Sequence, residues 1–293
     1  MNSQILFAKE CANEILEDTR DHAERFTVRP RLAIIKVGVN AASDIYVRNK
    51  EADARKCGIV TIVYSFPGDK NYTNDIISII KALNEDDMIS GIMVQLPLPT
   101  MFYSAGDRAA IINTISPIKD VDGITTENMG LLYADNSPHE YMLPCTVAGI
   151  WKLLEYYNLD MIHGYNVTII GRSDIVGKPL AQLFMQKNAT VTVCHSHTLE
   201  LKEHTTHSNI IVSAVGKPNF ITPDMVPTDR EFGIIDVGIN RDADGNLCGD
   251  FHPDTYKNAL WYTPVPGGIG LMTRAMLMRN TITAAYRVGK HKK

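Results

Sequence analysis

The chain has 293 residues, of which 45% are hydrophobic and 21% charged, with a formal net charge of -4. That length suggests about two domains, and that composition supplies a core without disulfides or metals. The acidic balance, with no basic run beyond Lys290-His291-Lys292-Lys293, argues against nucleic acid and anionic membrane as partners.

The N-terminal stretch 1–26 carries acids throughout and no unbroken apolar run, so it reads as an amphipathic helix and not a signal peptide. Short apolar runs follow at 31–38, 61–66 and 91–98, each with the length of a buried strand. Helical patterns at 42–58 and 74–86 lie between them. A loop at 134–144, rich in turn formers, marks the predicted domain boundary. The second series begins with a helix at 147–158. Strand 166–171, helix 176–188 and strands 191–196, 209–216 and 232–240 come next. The chain closes with a glycine loop at 263–270 and a helix at 271–288, detached enough from the second series to return to the first domain. This alternation predicts an α/β fold in two domains with largely parallel sheets. The predicted division is 1–143 plus 271–293 against a Rossmann-like 144–270. No apolar run approaches the roughly 20 residues a membrane helix needs. The five cysteines (Cys11, Cys57, Cys145, Cys194, Cys248) are odd in number and never spaced as CxxC, which fits a reducing, cytoplasmic location and no zinc site.

Five groups of residues carry candidate chemistry. Strand, glycine turn and helix at 166–188 form a phosphate cradle: glycine lets the backbone approach phosphate, and the helix start offers free N–H groups. The spacing is Gly171-x5-Gly177, not GxGxxG, so a turn without ligand stays open. An NAD site of this type carries an acid on the next strand. Here that strand ends Cys194-His195-Ser196-His197-Thr198, with Arg172 in the glycine turn, which favours the 2′-phosphate of NADP. Tyr46 and Lys50 are i and i+4 on one helix face, either sharing a cleft or forming an ordinary surface pair. Gln95 lies at a strand end, where ligands of open α/β sheets collect, and its amide serves either a site or a structural hydrogen bond. Asp120 and Asp122, in KDVDG, either make a turn or serve a site. Pro266, Gly267 and Gly268 form a loop that a ligand can approach closely, or simply a turn.

Nine segments in a fixed order resemble the bifunctional methylenetetrahydrofolate dehydrogenase/methenyltetrahydrofolate cyclohydrolase family: 37–59, 91–99, 117–123, 144–146, 171–179, 190–198, 214–218, 234–240 and 263–270. The resemblance implies oxidation of 5,10-methylenetetrahydrofolate with NADP and hydrolysis of the methenyl product, by a homodimer that holds folate between its domains. It implies that Lys50 is the catalytic lysine, held by Gln95, with Tyr46 stacking on folate, Asp122 bonding the pterin and Ser43 supporting the lysine. Pro266, Gly267 and Gly268 would border the substrate. Gly171, Arg172, Ser173, Ile175, Val176, Gly177, Ser196, His197, Thr198 and Ile239 would contact the cofactor, with no metal required. A dehydrogenase alone, or an idle nucleotide binder of the same fold, are the competing readings. Intact Lys50, Gln95 and Asp122 oppose the second. Three positions depart from the family's pattern. Val147 and Leu271 replace prolines expected at first helical positions, leaving Thr146 as the expected cap. His197 stands where Lys or Arg is common, so NADP affinity is expected to weaken from pH 6 to 8 as imidazole loses its charge.

Overall fold

A computed structural model describes residues 3–38, 41–134 and 141–290, with no side-chain detail for 41–43 and 290. In chain order the elements are β1 (Gln4–Ile5), α1 (Lys9–Ala23), β2 (Arg31–Val37), α2 (Ala41–Lys56), β3 (Val60–Phe66), α3 (Thr73–Glu85), β4 (Gly91–Val94), α4 (Ala105–Asn113), α5 (Thr126–Tyr133) and α6 (Cys145–Tyr156). They continue with β5 (Asn166–Ile170), α7 (Gly177–Gln186), β6 (Thr190–Cys194), α8 (Leu201–Thr205), β7 (Ile210–Ser213), β8 (Gly233–Asp236), β9 (Asn240–Arg241), β10 (Leu247–Cys248), α9 (Pro253–Tyr256), β11 (Trp261–Tyr262) and α10 (Ile269–Lys290). No helix among the described residues is long and apolar enough to cross a membrane.

The chain divides into two compact units, 13–145 with 274 onward, and 146–273 with the N-terminal segment through Ala12. This differs from the sequence-based division in one respect. The first twelve residues do not join the Lys50 unit, because β1 pairs in parallel with β11 and Leu6 N–H donates to the Tyr262 carbonyl at 2.8 Å. Two residues of strand are too short to show a period, so the sequence offers no sign of this pairing.

In the Lys50 unit, parallel strands lie in the order β3-β2-β4. Ala33, Ile35 and Val37 of β2 pack with Ile76 and Ile80 of α3, Ile92 and Val94 of β4, and Ile111 of α4. Burying each isoleucine contributes roughly 1.5–3 kcal/mol. The predicted strand 91–98 stops at Val94, and a cis Leu96–Pro97 bond lies in the segment beyond it. From Arg274 on, α10 packs on the first helices: the Tyr286 ring lies 4.6 Å from that of Phe26, and Arg274 pairs with buried Asp53 at 3.3 Å.

The second unit is built on a six-stranded parallel sheet, order β1-β11-β8-β7-β5-β6. Ile170, Ile211, Ile234, Phe232 and Phe251 form one of its cores. The residues in the place of the expected prolines do not stand at helix starts. The helix at Val147 begins at Cys145 and the one at Leu271 begins at Ile269. Thr146 is accordingly inside α6 and is not its cap. Its hydroxyl takes a bond from Thr273 Oγ1 at 3.2 Å. Replacing proline at these positions therefore removes no helix-starting residue.

Candidate active site

Both sheets reverse their strand order at a central strand, and each reversal opens a crevice beyond the carboxyl ends of the strands. In the Lys50 unit the chain leaves β2, builds β3 on one side, then crosses to β4 on the other. Lys50 on α2 and Gln95 after β4 meet there. Lys50 Nζ donates to Gln95 Oε1 at 2.8 Å and lies 3.7 Å from Met93 Sδ. The glutamine cannot swing away: its Nε2 donates to the Leu96 carbonyl at 2.8 Å and its backbone N–H to Ile35 at 2.8 Å.

The KDVDG turn supplies a carboxylate, and its two aspartates divide the work. Asp120 is buried and serves the turn. Its Oδ1 accepts from Gly123 N at 2.9 Å, and its Oδ2 from Thr125 N at 2.8 Å and Asn128 Nδ2 at 2.9 Å. Asp122 is left to interact with Lys50 and Cys145. The turn is fixed further from α10, where Asn280 Nδ2 donates to the Val121 carbonyl at 2.9 Å.

Burial lowers the pKa of Lys50 below that of a free lysine. The carboxyl of Asp122 and the thiol of Cys145 oppose this, and the Arg274 guanidinium adds to it. Desolvation disfavours the ammonium, so the amine is shifted toward the neutral, proton-accepting form. Burial also raises the Asp122 carboxyl, against the pull of Lys50. Cys145 is raised well above an ordinary thiol by the same burial and the neighbouring carboxylates, and its Sγ donates to the Val121 carbonyl at 3.2 Å. Cys145 and Arg274 were not among the residues singled out in sequence. Cys145 stood in a recognised segment, PCT, but Arg274 arrives on the last helix with no local signal. Arg48, two residues from Lys50 on α2, is exposed and its Nε donates to the Asp44 carbonyl at 3.3 Å. Tyr46 lies one turn before Lys50 and is 37% exposed, so its ring is available to a ligand. The side chain of Ser43 lies outside the described residues.

In the other unit the reversal lies at β5, between β6 and β7. Gly171 follows β5 with φ +123°, and a Cβ there would lie 2.8 Å from the Ala214 carbonyl oxygen. A Cβ on Gly177 would lie 2.0 Å from the Gly171 oxygen. Both positions thus exclude a side chain, and the turn is tight enough to bring backbone against a phosphate. Ser173 Oγ accepts from Val176 N at 3.2 Å and Gly177 N at 3.4 Å, ordering the turn, while Arg172 and Ile175 are exposed. At the end of β6, Thr198 Oγ1 accepts from His195 N at 2.8 Å, and His195 Nδ1 from His197 N at 3.1 Å. Ser196 and His197 face solvent. Partial desolvation, Arg172 and His197 lower the His195 pKa. The Arg172 guanidinium lies beside the two imidazoles and the hydroxyls of Ser196 and Thr198, a donor set that suits a dianionic phosphate. Ile239 is 45% exposed after β8. Pro266, Gly267 and Gly268 lie in the loop after β11. Gly267 has φ +107°, and a Cβ on Gly268 would lie 2.5 Å from the Pro264 oxygen.

Residues 6–122 match the tetrahydrofolate dehydrogenase/cyclohydrolase catalytic domain, and residues 144–288 match the NAD(P)-binding domain of the same description. The bifunctional protein FolD of Dechloromonas aromatica is 43% identical over 98% of this chain and 99% of its own length. The solved structure of the Campylobacter jejuni bifunctional FolD, a methylenetetrahydrofolate dehydrogenase/cyclohydrolase, shares 36% identity with a TM-score of 0.90, over 97% of this chain and 99% of that one. The Trypanosoma brucei FolD, solved with NADP cofactor and inhibitor, shares 31% identity with a TM-score of 0.89 over 98% of each chain.

Proposed function

Because this chain belongs to the tetrahydrofolate dehydrogenase/cyclohydrolase family, we propose how its own residues run the two reactions and that NADP is the dinucleotide used. The chain is a methylenetetrahydrofolate dehydrogenase and a methenyltetrahydrofolate cyclohydrolase. The observation that carries the mechanism is the 2.8 Å bond from Lys50 to a glutamine that cannot turn away.

The dinucleotide, when bound, supplies the hydride acceptor. For that step the protein aligns the reactants: Tyr46 offers a ring face to the folate, and Pro266, Gly267 and Gly268 offer close-approach backbone. Hydrolysis is where Lys50 acts on protons. Water adds to the methenyl carbon, forming a C–O bond. The neutral amine of Lys50 takes the proton that water releases. The carbon–nitrogen bond then breaks as that proton passes to the departing nitrogen, and the remaining hydroxyl proton is released to solvent as the formyl C=O forms, leaving 10-formyltetrahydrofolate. Gln95 keeps the amine aimed by accepting one of its hydrogens. Asp122 favours the ammonium formed midway and offers an acceptor to the pterin. A group that takes and returns one proton works best with a pKa near the working pH, which is the direction in which burial moves Lys50.

For the cofactor, the cradle of Gly171, Ser173, Ile175, Val176 and Gly177 holds the pyrophosphate. Arg172, Ser196, His197 and Thr198 face the 2′-phosphate, and Ile239 packs on the ring. What supports NADP over NAD is a guanidinium, two imidazoles and hydroxyls in that place, and the lack of an acid there among the described residues. A homodimer formed through this unit, and a cytoplasmic location, belong to the same proposal. The second is supported by five free cysteines, four of them buried.

The test is an absorbance assay with methylenetetrahydrofolate and either dinucleotide, following reduced cofactor and methenyl intermediate together. Higher kcat/KM with NADP is expected; higher kcat/KM with NAD overturns that choice. Lys50→Met is expected to abolish hydrolysis of added methenyl substrate and to retain more of the hydride transfer. Hydrolysis retained in that variant removes Lys50 from the mechanism.

A further inference from the structure

Two aspartates of the dinucleotide unit are fully buried and have no part in the chemistry above. Asp250 follows β10, and Asp236 ends β8. Asp250 Oδ2 accepts from Ser213 Oγ at 2.9 Å, Val215 N at 2.9 Å and Gly216 N at 3.3 Å. Its Oδ1 accepts from Lys217 N at 3.0 Å and Asn240 Nδ2 at 2.8 Å. Successive backbone N–H groups that converge in this way form an anion-binding nest. Here the anion is a side chain of the protein itself. Asp236 in turn fixes Asp250. Its Oδ1 accepts from Gly238 N at 3.0 Å and Asp250 N at 3.1 Å, and its Oδ2 from Phe251 N at 3.1 Å and Tyr256 Oη at 2.7 Å. Glycines leave room for both carboxyls. A Cβ on Gly238 would lie 2.1 Å from Asp250 Oδ1, and one on Gly249 would lie 1.9 Å from Asp236 Oδ2.

What Asp250 holds is adjacent to the glycine turn. Ala214 N donates to the Ile170 carbonyl at 2.9 Å, and the Ala214 oxygen is the atom that a Cβ on Gly171 would meet at 2.8 Å. The loop over 214–217 and the backbone around Asn240, next to Ile239, therefore take their shape from one carboxylate. Without it, three adjacent N–H groups would have no acceptor, and the loop would turn to find one in water.

We propose that Asp250 is a positioning residue for the dinucleotide: its buried carboxylate holds the 215–217 loop and Asn240 in the shape that lines the cradle at Gly171. The proposal rests on the reading above that this turn holds the cofactor.

The experiment compares wild type, Asp250→Asn, and the exchange variant Asp250→Asn with Asn240→Asp. The readouts are NADP binding by titration, KM and kcat of the dehydrogenase, and hydrolysis of added methenyl substrate without dinucleotide. In Asp250→Asn one oxygen becomes an NH2 group facing donors. Losing bonds to a charged acceptor should weaken NADP binding by about tenfold or more. Hydrolysis should stay within about twofold, since Lys50, Gln95 and Asp122 belong to the other unit. The exchange variant should recover part of the affinity, because an amide at 250 can donate to a carboxylate at 240. A purely structural role predicts equal loss of both activities, in proportion to folded protein and with no rescue, and that result overturns the proposal. So does unchanged NADP affinity in a folded Asp250→Asn protein. Should that variant not fold, Asn240→Ala removes one donor alone and should weaken NADP severalfold; no change there overturns the proposal equally. Wild-type protein that binds neither dinucleotide overturns the cofactor reading itself, and does so before any substitution is made.

Discussion

Replacing Gln95 by leucine tests the Lys50 centre directly. The substitution keeps the volume near that of glutamine and removes the acceptor 2.8 Å from Lys50 Nζ. Gln95 is 9% exposed, so little water can replace the lost oxygen. A hydrogen bond between a buried pair of which one partner is charged contributes about 1.5–3 kcal/mol. If that aim is needed when Lys50 takes and returns its proton, the rate of hydrolysis should fall by roughly 10- to 150-fold, at about 1.36 kcal/mol per decade. Hydride transfer asks no proton of Lys50 and should fall less. The assay is the loss of added methenyltetrahydrofolate above the uncatalysed rate, beside single-turnover reduction of NADP, with circular dichroism to establish folding. Hydrolysis within twofold of wild type in a folded variant would refute the reasoning. A dehydrogenase loss larger than the hydrolase loss would refute it too. Gln95→Glu gives a second arm: a carboxylate beside the amine favours the ammonium, so the rising limb of the pH–rate profile for hydrolysis should move to higher pH.

Other consequences follow from charge and packing. Arg274→Met removes a cation that helps lower the Lys50 pKa; the neutral fraction at a given pH falls, and the rising limb should move alkaline, whereas an unmoved or acid-shifted limb contradicts the assignment. The Asp236 carboxyl is raised by burial from 3.8 to about 6, so between those values the native state binds more protons than the unfolded one. Stability from this group is then greatest below about pH 4 and is lost as pH rises through 6, by about 3 kcal/mol in all. Relative to Asp236→Asn, the wild-type melting temperature should therefore rise as pH falls from 7 to 5; a difference independent of pH removes this account. Gly177→Ala places a Cβ 2.0 Å from the Gly171 oxygen, and should destabilise by about 1–3 kcal/mol and raise KM for NADP; unchanged thermal melting and KM would show that the turn is looser than described.

Much of the architecture could be read from the chain itself. Strands buried on both faces, such as β4, β7 and β8, are built on short apolar runs, and glycines mark where the backbone must come close. Tyr46 and Lys50 announce themselves by spacing, since i and i+4 share a helix face whatever surrounds it. Short elements escaped: β1 and β11, of two residues each, carry no period, and α4 and α5 have little amphipathic contrast. Other decisions needed the tertiary structure. KDVDG has two acids with equal claim to the site, and only the positions of Gly123, Thr125 and Asn128 make Asp120 the turn former and leave Asp122 for Lys50. The cation near Lys50 comes not from Arg48, two residues away on the same helix, but from Arg274 on the last one. Local sequence governs which face of an element a side chain takes. Electrostatics acts through space between elements far apart in the chain, so the downward shift of the Lys50 pKa and the hold of Asp250 on the 215–217 loop arise only on folding.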